Sequence, residues 1–226
     1  SSSKINLKSI LEISEMRLGW MVFTSGFTNS VLWDWIKRGF DIFVVISIAL
    51  VTWPLMIIAA LATLVETGRP IIYNQVRVGL NGLPFEIYKF RSMRTDAEIQ
   101  GKAIWAGAND NRVTKVGAFL RNTRIDELPQ LYNVLVGDMS IVGPRPERPE
   151  FVDDLNTQLA FYPERHRVKP GLMGWAQLNY PYGASVEDAA EKLRYDLYYV
   201  KNRSLLLDLV IMVQTVQVIL LGTGVR

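Results

Sequence analysis

The chain has 226 residues, 49% of them apolar, a mean hydropathy of +0.13, a formal charge of +3 and a pI near 9.1. These values suit one domain with its own core plus a limited apolar insertion, and they fall short of a multi-span membrane protein. With no cysteine and a single histidine, His166, a disulfide framework, a thiolate zinc site, a Cys nucleophile and a histidine-rich metal site are excluded, so any chemistry runs on carboxylates, lysines, arginines or hydroxyls.

In chain order, residues 11–31 read as a short amphipathic helix followed by a loop. After Lys37-Arg38-Gly39-Phe40-Asp41 comes a run of 24 residues, 42–65, without a charge. Its length suffices for a membrane-spanning helix, but Pro54 sits at its centre and interrupts helical hydrogen bonding. Each half is then about 18 Å long, short of a roughly 30 Å hydrocarbon core. A kinked span and a hairpin that enters one leaflet and returns both fit, with a buried soluble helix as the plain alternative. Thr52 is the obvious side chain to satisfy backbone freed by the proline. Both flanks are basic, with Lys37 and Arg38 before the run and Arg69, Arg77, Lys89, Arg91 and Arg94 after it, which favours both on the cytoplasmic side and leans toward re-entry.

Residues 70–93 carry two β-rich runs around Gly79-Leu80-Asn81-Gly82 and predict a β-hairpin. Residues 95–115 read as a polar loop with a helical start at Asp96, residues 117–136 as a helix ended by Gly137, and residues 149–162 as an amphipathic helix. Residues 163–185 read as a Pro/Gly-rich connection and residues 186–201 as a helix. Residues 205–221 are apolar with Asp208 the one charge, and are expected to form a helix packed at the membrane surface or against the insertion.

The densest constellation is residues 121–131, Arg-Asn-Thr-Arg-Ile-Asp-Glu-Leu-Pro-Gln-Leu. Leu128, Leu131, Tyr132 and Leu135 have helical spacing, and Pro129 belongs in a first turn. Asp126 and Glu127 are thereby expected at a helix N-terminus, where free N–H groups keep a carboxylate ionised and able to attack phosphorus. An acidic N-cap is the plain alternative. In Gly143-Pro144-Arg145-Pro146 two prolines hold Arg145 on a stiff mount suited to a phosphate, or form a plain connector. Lys89 and Arg91 share one face of a strand, with Phe90 on the other, and could meet phosphates or solvent. Trp175 could stack on a base or pack in the core, His166 reads as structural or as an anion contact, and Asp41 and Glu66 as markers of the ends of the apolar segment. No glycine-rich phosphate loop is present.

In this order Lys37-Arg38-x-x-Asp41, Lys89-Phe90-Arg91-Ser92-Met93, Asp126-Glu127-Leu128-Pro129-Gln130-Leu131, Gly143-Pro144-Arg145-Pro146 and Lys169-Pro170-Gly171-x-x-Gly174-Trp175-Ala176-Gln177 resemble the bacterial sugar transferase family, the monotopic polyprenyl-phosphate phosphoglycosyltransferases. The resemblance covers about residues 35–226. Residues 1–34 resemble the linker to extra N-terminal domains in larger members, so the chain is expected to be the catalytic part of a longer protein.

The resemblance implies an α+β, mostly helical fold: a re-entrant helix-break-helix at 42–65, a small β-hairpin and helices at the membrane surface. It implies that Asp126 is the nucleophile and that Glu127 helps hold Mg²⁺ or position the acceptor, so that Asp126 and Glu127 form the metal site. It implies that Arg121 and Arg145 bind substrate phosphate, to which the strand-face reading adds Lys89 and Arg91 as candidates, and that Lys37 and Arg38 lie at the membrane interface with Pro54 at the break. The donor would be a UDP-sugar and the acceptor undecaprenyl phosphate, with UMP released, as the first membrane step of exopolysaccharide or glycoconjugate assembly. The site would lie on the cytoplasmic face of the bacterial inner membrane, in contact with membrane lipids, with a homodimer compatible and no nucleic acid involved. Trp53 stands where many members have Ser before the proline, and Met173 where Thr is common. The rival readings are a glycosyltransferase that releases UDP and a lipid-binding module without turnover.

Overall fold

The computed structural model describes residues 31–94, 112–181, 183 and 185–221, which form a mostly helical body with two small two-stranded sheets. The amphipathic stretch expected before residue 31 and the polar loop of residues 95–111 lie outside the described residues.

Helix α1, Val31–Thr67, is 37 residues long and contains Pro54. It is a single element, where the sequence pointed to two halves meeting at Trp53-Pro54. Among the described residues it is the one helix long and apolar enough to cross a membrane. Asp41, Val44, Val45, Ala59 and Thr63 are its buried residues, whereas Phe43, Leu50, Val51, Trp53, Ile58 and Leu61 are exposed. The Thr52 hydroxyl donates to the Ile48 carbonyl at 2.8 Å. It therefore does not satisfy the carbonyl four residues before Pro54, the part the sequence suggested for it. Both ends of α1 are tied to the same body: Arg38 donates to the carbonyls of Val134 and Leu135, and the Glu66 carboxylate accepts from Val116 N–H.

Strands β1 (Ile72–Val78) and β2 (Pro84–Phe90) form the expected antiparallel hairpin, paired from Ile72 opposite Phe90 to Val78 opposite Pro84. Both faces of β2 are covered. Ile87 enters the main core with Val45, Leu131, Val134 and Ile141, and Phe90 packs with Ala59, Leu120 and Ile125.

The single helix expected over residues 117–136 is instead broken. Helix α2 (Lys115–Asn122), capped by the Thr114 hydroxyl, ends at Thr123, and Arg124 turns left-handed at φ 59°. A 3-10 turn, Ile125–Glu127, follows, then α3 (Gln130–Val136). The break lets Ile125 pack beneath α2 while Leu131 and Val134 face the main core, which one straight helix would not satisfy. As expected, Gly137 ends α3, at φ 102°.

The residue 149–162 helix is shorter than expected: α4 is Pro149–Gln158, and a 3-10 segment, Tyr162–Arg167, follows it. The presumed connection of residues 163–185 holds structure of its own. Strand β4 (Gly171–Met173) pairs in parallel with β3 (Ser140–Val142), and α5 spans Trp175–Asn179. Parallel pairing brings Gly143 against Gly171. A Cβ on Gly171 would lie 2.0 Å from the Gly143 nitrogen, and one on Gly143 2.4 Å from the Lys169 carbonyl oxygen. Backbone cannot yield as a side chain can, so Gly171→Ala is expected to cost about 3 kcal/mol. Thermal unfolding in detergent measures this, with Gly39→Ala as the control: it meets nothing within 4 Å and, inside α1, is expected to stabilise by up to about 1 kcal/mol.

Helices α6 (Val186–Asn202) and α7 (Leu205–Leu221) complete the body. Ser185 and Asp188 form a reciprocal capping box at the start of α6. Asp208 ties α7 to the foot of α1: Lys37 reaches Asp41 at 2.7 Å and Asp208 at 2.8 Å, and Tyr199 donates to Asp208 at 2.8 Å. Asp41 is thus a buried anchor that also accepts from Ile141 N–H, and Glu66 caps α2. Neither is the mere end-marker it resembled in sequence.

Candidate active site

Asp126 and Glu127 lie on the 3-10 turn between two apolar anchors, Ile125 and Leu128, which hold the turn to the body and leave each carboxylate 7% exposed. They precede α3 rather than occupying its N-terminus, because Pro129 takes the cap position. Glu127 is the hub. Its Oε1 accepts from Lys89 Nζ at 2.9 Å and Arg145 Nη2 at 2.9 Å, with Arg124 Nη1 at 3.7 Å. Burial alone would raise its pKa, but Lys89, Arg145 and Arg124 outweigh burial and hold it well below the usual carboxylate range. Glu127 in turn holds the Arg145 guanidinium above its ordinary value, and burial pushes Lys89 down against the pull of Glu127.

Asp126 is the contrasting member of the pair. Its Oδ1 is buried without a hydrogen-bond partner. Burial first, and Glu127 second, push its pKa up to about 6. The sequence-based picture of a helix terminus that lowers the pKa is therefore corrected: burial and the neighbouring Glu127 raise it, and the group is still mostly ionised at neutral pH. Three cations around two carboxylates leave the cluster with an excess positive charge able to receive a diphosphate.

The mount of Arg145 is stiff, as its two prolines suggested. Four successive carbonyls are occupied: Pro144 by Gly171 N–H, Arg145 by Arg165, Pro146 by Arg77 and Glu147 by Val78 N–H. Lys89 emerges from β2 on the side opposite Phe90, as strand alternation predicts.

A model of the family described as "Bacterial sugar transferase" matches residues 32–222. The chain belongs to this family. It is 47% identical over 198 residues to the UDP-N-acetylgalactosamine-undecaprenyl-phosphate N-acetylgalactosaminephosphotransferase of Aeromonas hydrophila, covering 87% of this chain and 46% of that protein. It is 43% identical over 182 residues to the UDP-glucose:undecaprenyl-phosphate glucose-1-phosphate transferase of Klebsiella pneumoniae, covering 80% and 39%. Against the exopolysaccharide production protein PSS of Rhizobium leguminosarum bv. phaseoli it is 40% identical over 190 residues, covering 80% and 93%. The chain thus spans less than half the length of the first two relatives.

In this sugar transferase chain the ion-pair cluster gathers four of the residues singled out from sequence: Asp126, Glu127, Lys89 and Arg145. Arg121 lies in the last turn of α2, and among the described residues it pairs with neither carboxylate. Arg91 has a buried Nη1 without a partner and likewise stands outside the cluster. Lys37 and Arg38 sit at the foot of α1, bound as described above, and Pro54 lies in its exposed middle. Trp175 is core, stacked with Tyr198. His166 is buried beside Tyr162, and burial, with Arg165 second, pushes its pKa down to about 4.

Sequence reasoning missed two contributors. Arg124 joins the cluster because its left-handed conformation folds it back toward Glu127 at i+3; the Arg-x-x-Glu spacing was the available signal. Asn133, 0% exposed, copies a strand edge: its Nδ2 donates to the Glu86 carbonyl and its Oδ1 accepts from Tyr88 N–H, docking α3 on β2. A lone Asn within an apolar helical stripe was the hint.

Arg145→Ala is expected to lower kcat/KM for a sugar-nucleotide donor about tenfold or more, since a charge-assisted contact is worth about 1.5–3 kcal/mol. Steady-state kinetics over a donor series measures it. The pH profile carries a second expectation. A carboxylate that attacks as the anion loses activity as it takes up a proton, so kcat/KM should fall as pH drops through about 6. Glu127, held low by its cations, should contribute no limb there.

Proposed function

We propose that this chain moves a phosphosugar from a UDP-sugar to undecaprenyl phosphate through a covalent intermediate on Asp126. The observation that carries the reading is the asymmetry of the pair: Glu127 saturated by three cations, and Asp126 beside it with a buried, unpartnered oxygen and a raised pKa. In the first step an Asp126 oxygen attacks the phosphorus attached to the sugar, the P–O bond to the UMP phosphate breaks, and UMP leaves. In the second, an oxygen of the lipid phosphate attacks that same phosphorus, the acyl phosphate bond breaks, and the Asp126 carboxylate is regenerated. Lys89, Arg124 and Arg145 offset the charge that would otherwise repel a carboxylate from a diphosphate. The donor sugar would be a hexose or an N-acetylhexosamine, as in the names of the Klebsiella and Aeromonas relatives.

The buried, unpartnered Asp126 Oδ1 supports a place for Mg²⁺. Among the described residues no group of three or more potential ligands gathers, and Mg²⁺ typically takes one or two carboxylates and completes its shell with substrate phosphates and water. Asp126, with Glu127 beside it, would hold it. When bound, the ion neutralises phosphate charge.

A lipid acceptor and a soluble donor require a site at the membrane surface. The one-leaflet reading of α1 is supported by its two tied ends: Arg38 grips α3 and Glu66 caps α2, so a bilayer crossed between them would have to contain the charged body. Basic flanks on both sides support the cytoplasmic face of the bacterial inner membrane. The relatives' names support membrane assembly of exopolysaccharide or a similar glycoconjugate.

The test is nucleotide identity. With a panel of UDP-sugars, undecaprenyl phosphate and Mg²⁺, the expected product is UMP, from one donor preferentially. UDP as the product would mean transfer of the sugar alone and would remove the covalent mechanism.

A further inference from the structure

We propose that Arg165, fixed by Asp196, positions Arg145 for the donor diphosphate by holding its main-chain carbonyl; the inference rests on the transferase reading above. Arg165 is 5% exposed, deep beneath the site, and all three of its side-chain nitrogens are committed. Nε and Nη2 meet Asp196 Oδ2 at 3.0 and 2.8 Å, Nη1 donates to the Tyr162 hydroxyl at 2.9 Å, and Nη2 also donates to the Arg145 carbonyl at 2.8 Å. Asp196 is 2% exposed on α6, so the pair is a wholly buried ion pair.

A buried ion pair is a poor device for stability alone, since apolar residues of similar volume often serve as well or better. What apolar residues cannot do is donate to a carbonyl. The Arg145–Pro146 peptide unit has no N–H, so its carbonyl is its only main-chain hydrogen-bonding group. The residue before a proline is confined to extended backbone, and the direction of its carbonyl fixes its remaining freedom in ψ. By capturing that carbonyl, Arg165 sets the angle from which the Arg145 side chain leaves the loop toward Glu127, 2.9 Å away. The planar guanidinium fork, which a lysine lacks, serves Asp196 and the carbonyl at once. A continuous path thus runs from α6 through Asp196, Arg165 and Arg145 to Glu127, the neighbour of Asp126.

The experiment is a double-mutant cycle in UMP release from a UDP-sugar with undecaprenyl phosphate, using Arg165→Met, Arg145→Ala and both together. The expected result is a loss of about tenfold in kcat/KM for Arg165→Met, expressed in KM for the UDP-sugar and not in KM for the lipid. The double variant should lie within threefold of Arg145→Ala alone, because a residue that acts through Arg145 has nothing left to position. Losses that multiply, or an Arg165→Met enzyme within twofold of the unaltered one, overturn the proposal. Should Arg165→Met fail to fold by thermal unfolding, the cycle is run on Arg165→Met/Asp196→Leu, which leaves no orphaned charge. If that variant fails to fold as well, Arg165 is a determinant of the fold and the proposal falls. Absence of UMP from the unaltered protein overturns the transferase reading and this proposal with it; a normal Arg145 effect without the expected Arg165 effect overturns this proposal alone.

Discussion

Asp126→Asn is expected to lower UMP release about a thousandfold or more while leaving the protein at least as stable as before near neutral pH. The first half follows from chemistry: an amide of the same shape cannot form the acyl phosphate, and loss of a covalent nucleophile removes most of the rate. The second half follows from linkage. Burial lifts Asp126 from an ordinary value of 3.8 to about 6. The folded chain therefore binds a proton that the unfolded chain has already released between those values. Above pH 6 the folded state holds a charge in a place that disfavours it, at a cost of up to about 3 kcal/mol. Below about pH 4 both states are protonated and the cost vanishes. Asn carries no charge, so its advantage should be full above pH 6 and shrink as pH falls toward 4. Thermal unfolding of both proteins across that range measures it. A variant with near-normal turnover would remove Asp126 from its role, and one much less stable at neutral pH would contradict the account of its environment.

Lys37→Met is expected to be severely destabilising. Lys37 stands between Asp41 and Asp208 at 2.7 and 2.8 Å, and those carboxylates are 3% and 1% exposed. Removing one partner of a buried pair leaves uncompensated charge and costs about 3–5 kcal/mol. The expected outcome is a large drop in unfolding temperature, or no folded protein. Asp208→Asn added to Lys37→Met should recover part of the loss, because it removes one of the two stranded charges. A melting curve for each variant decides this. An unchanged Lys37→Met protein would mean that the foot of α1 is not locked to α7 as the distances indicate.

Local pattern made much of the molecule readable. The β-hairpin, the stop at Gly137, the α6 segment and the apolar α7 all follow from periodicity and turn chemistry, and the hairpin turn fell where Gly79 to Gly82 predicted it. The misreadings share one cause, long-range packing. The break at Arg124 exists because Ile125 and Leu131 must reach different clusters; Pro129 signals the start of the next helix, but nothing local marks the left-handed turn at Arg124 itself. The β3–β4 pair joins residues about thirty apart through three-residue strands, too short to show alternation. Within the candidate site, residue types and order pointed to Asp126, Glu127, Lys89 and Arg145. The division of labour between the two carboxylates depends on which cations reach which oxygen, and only three-dimensional placement provides that. Arg165 was hidden for the same reason: its partner Asp196 lies 31 residues away on another helix.

The most direct measurement of the central claim uses the donor alone. The protein, at a concentration comparable with that of its preferred UDP-sugar and with no lipid present, is sampled for released nucleotide and for intact mass. Close to one equivalent of UMP is expected, with a mass gain of one phosphosugar per chain, located on the peptide containing Asp126 and absent in Asp126→Asn. Steady turnover in the presence of undecaprenyl phosphate, with neither UMP nor a mass gain in its absence, would contradict a covalent intermediate on Asp126.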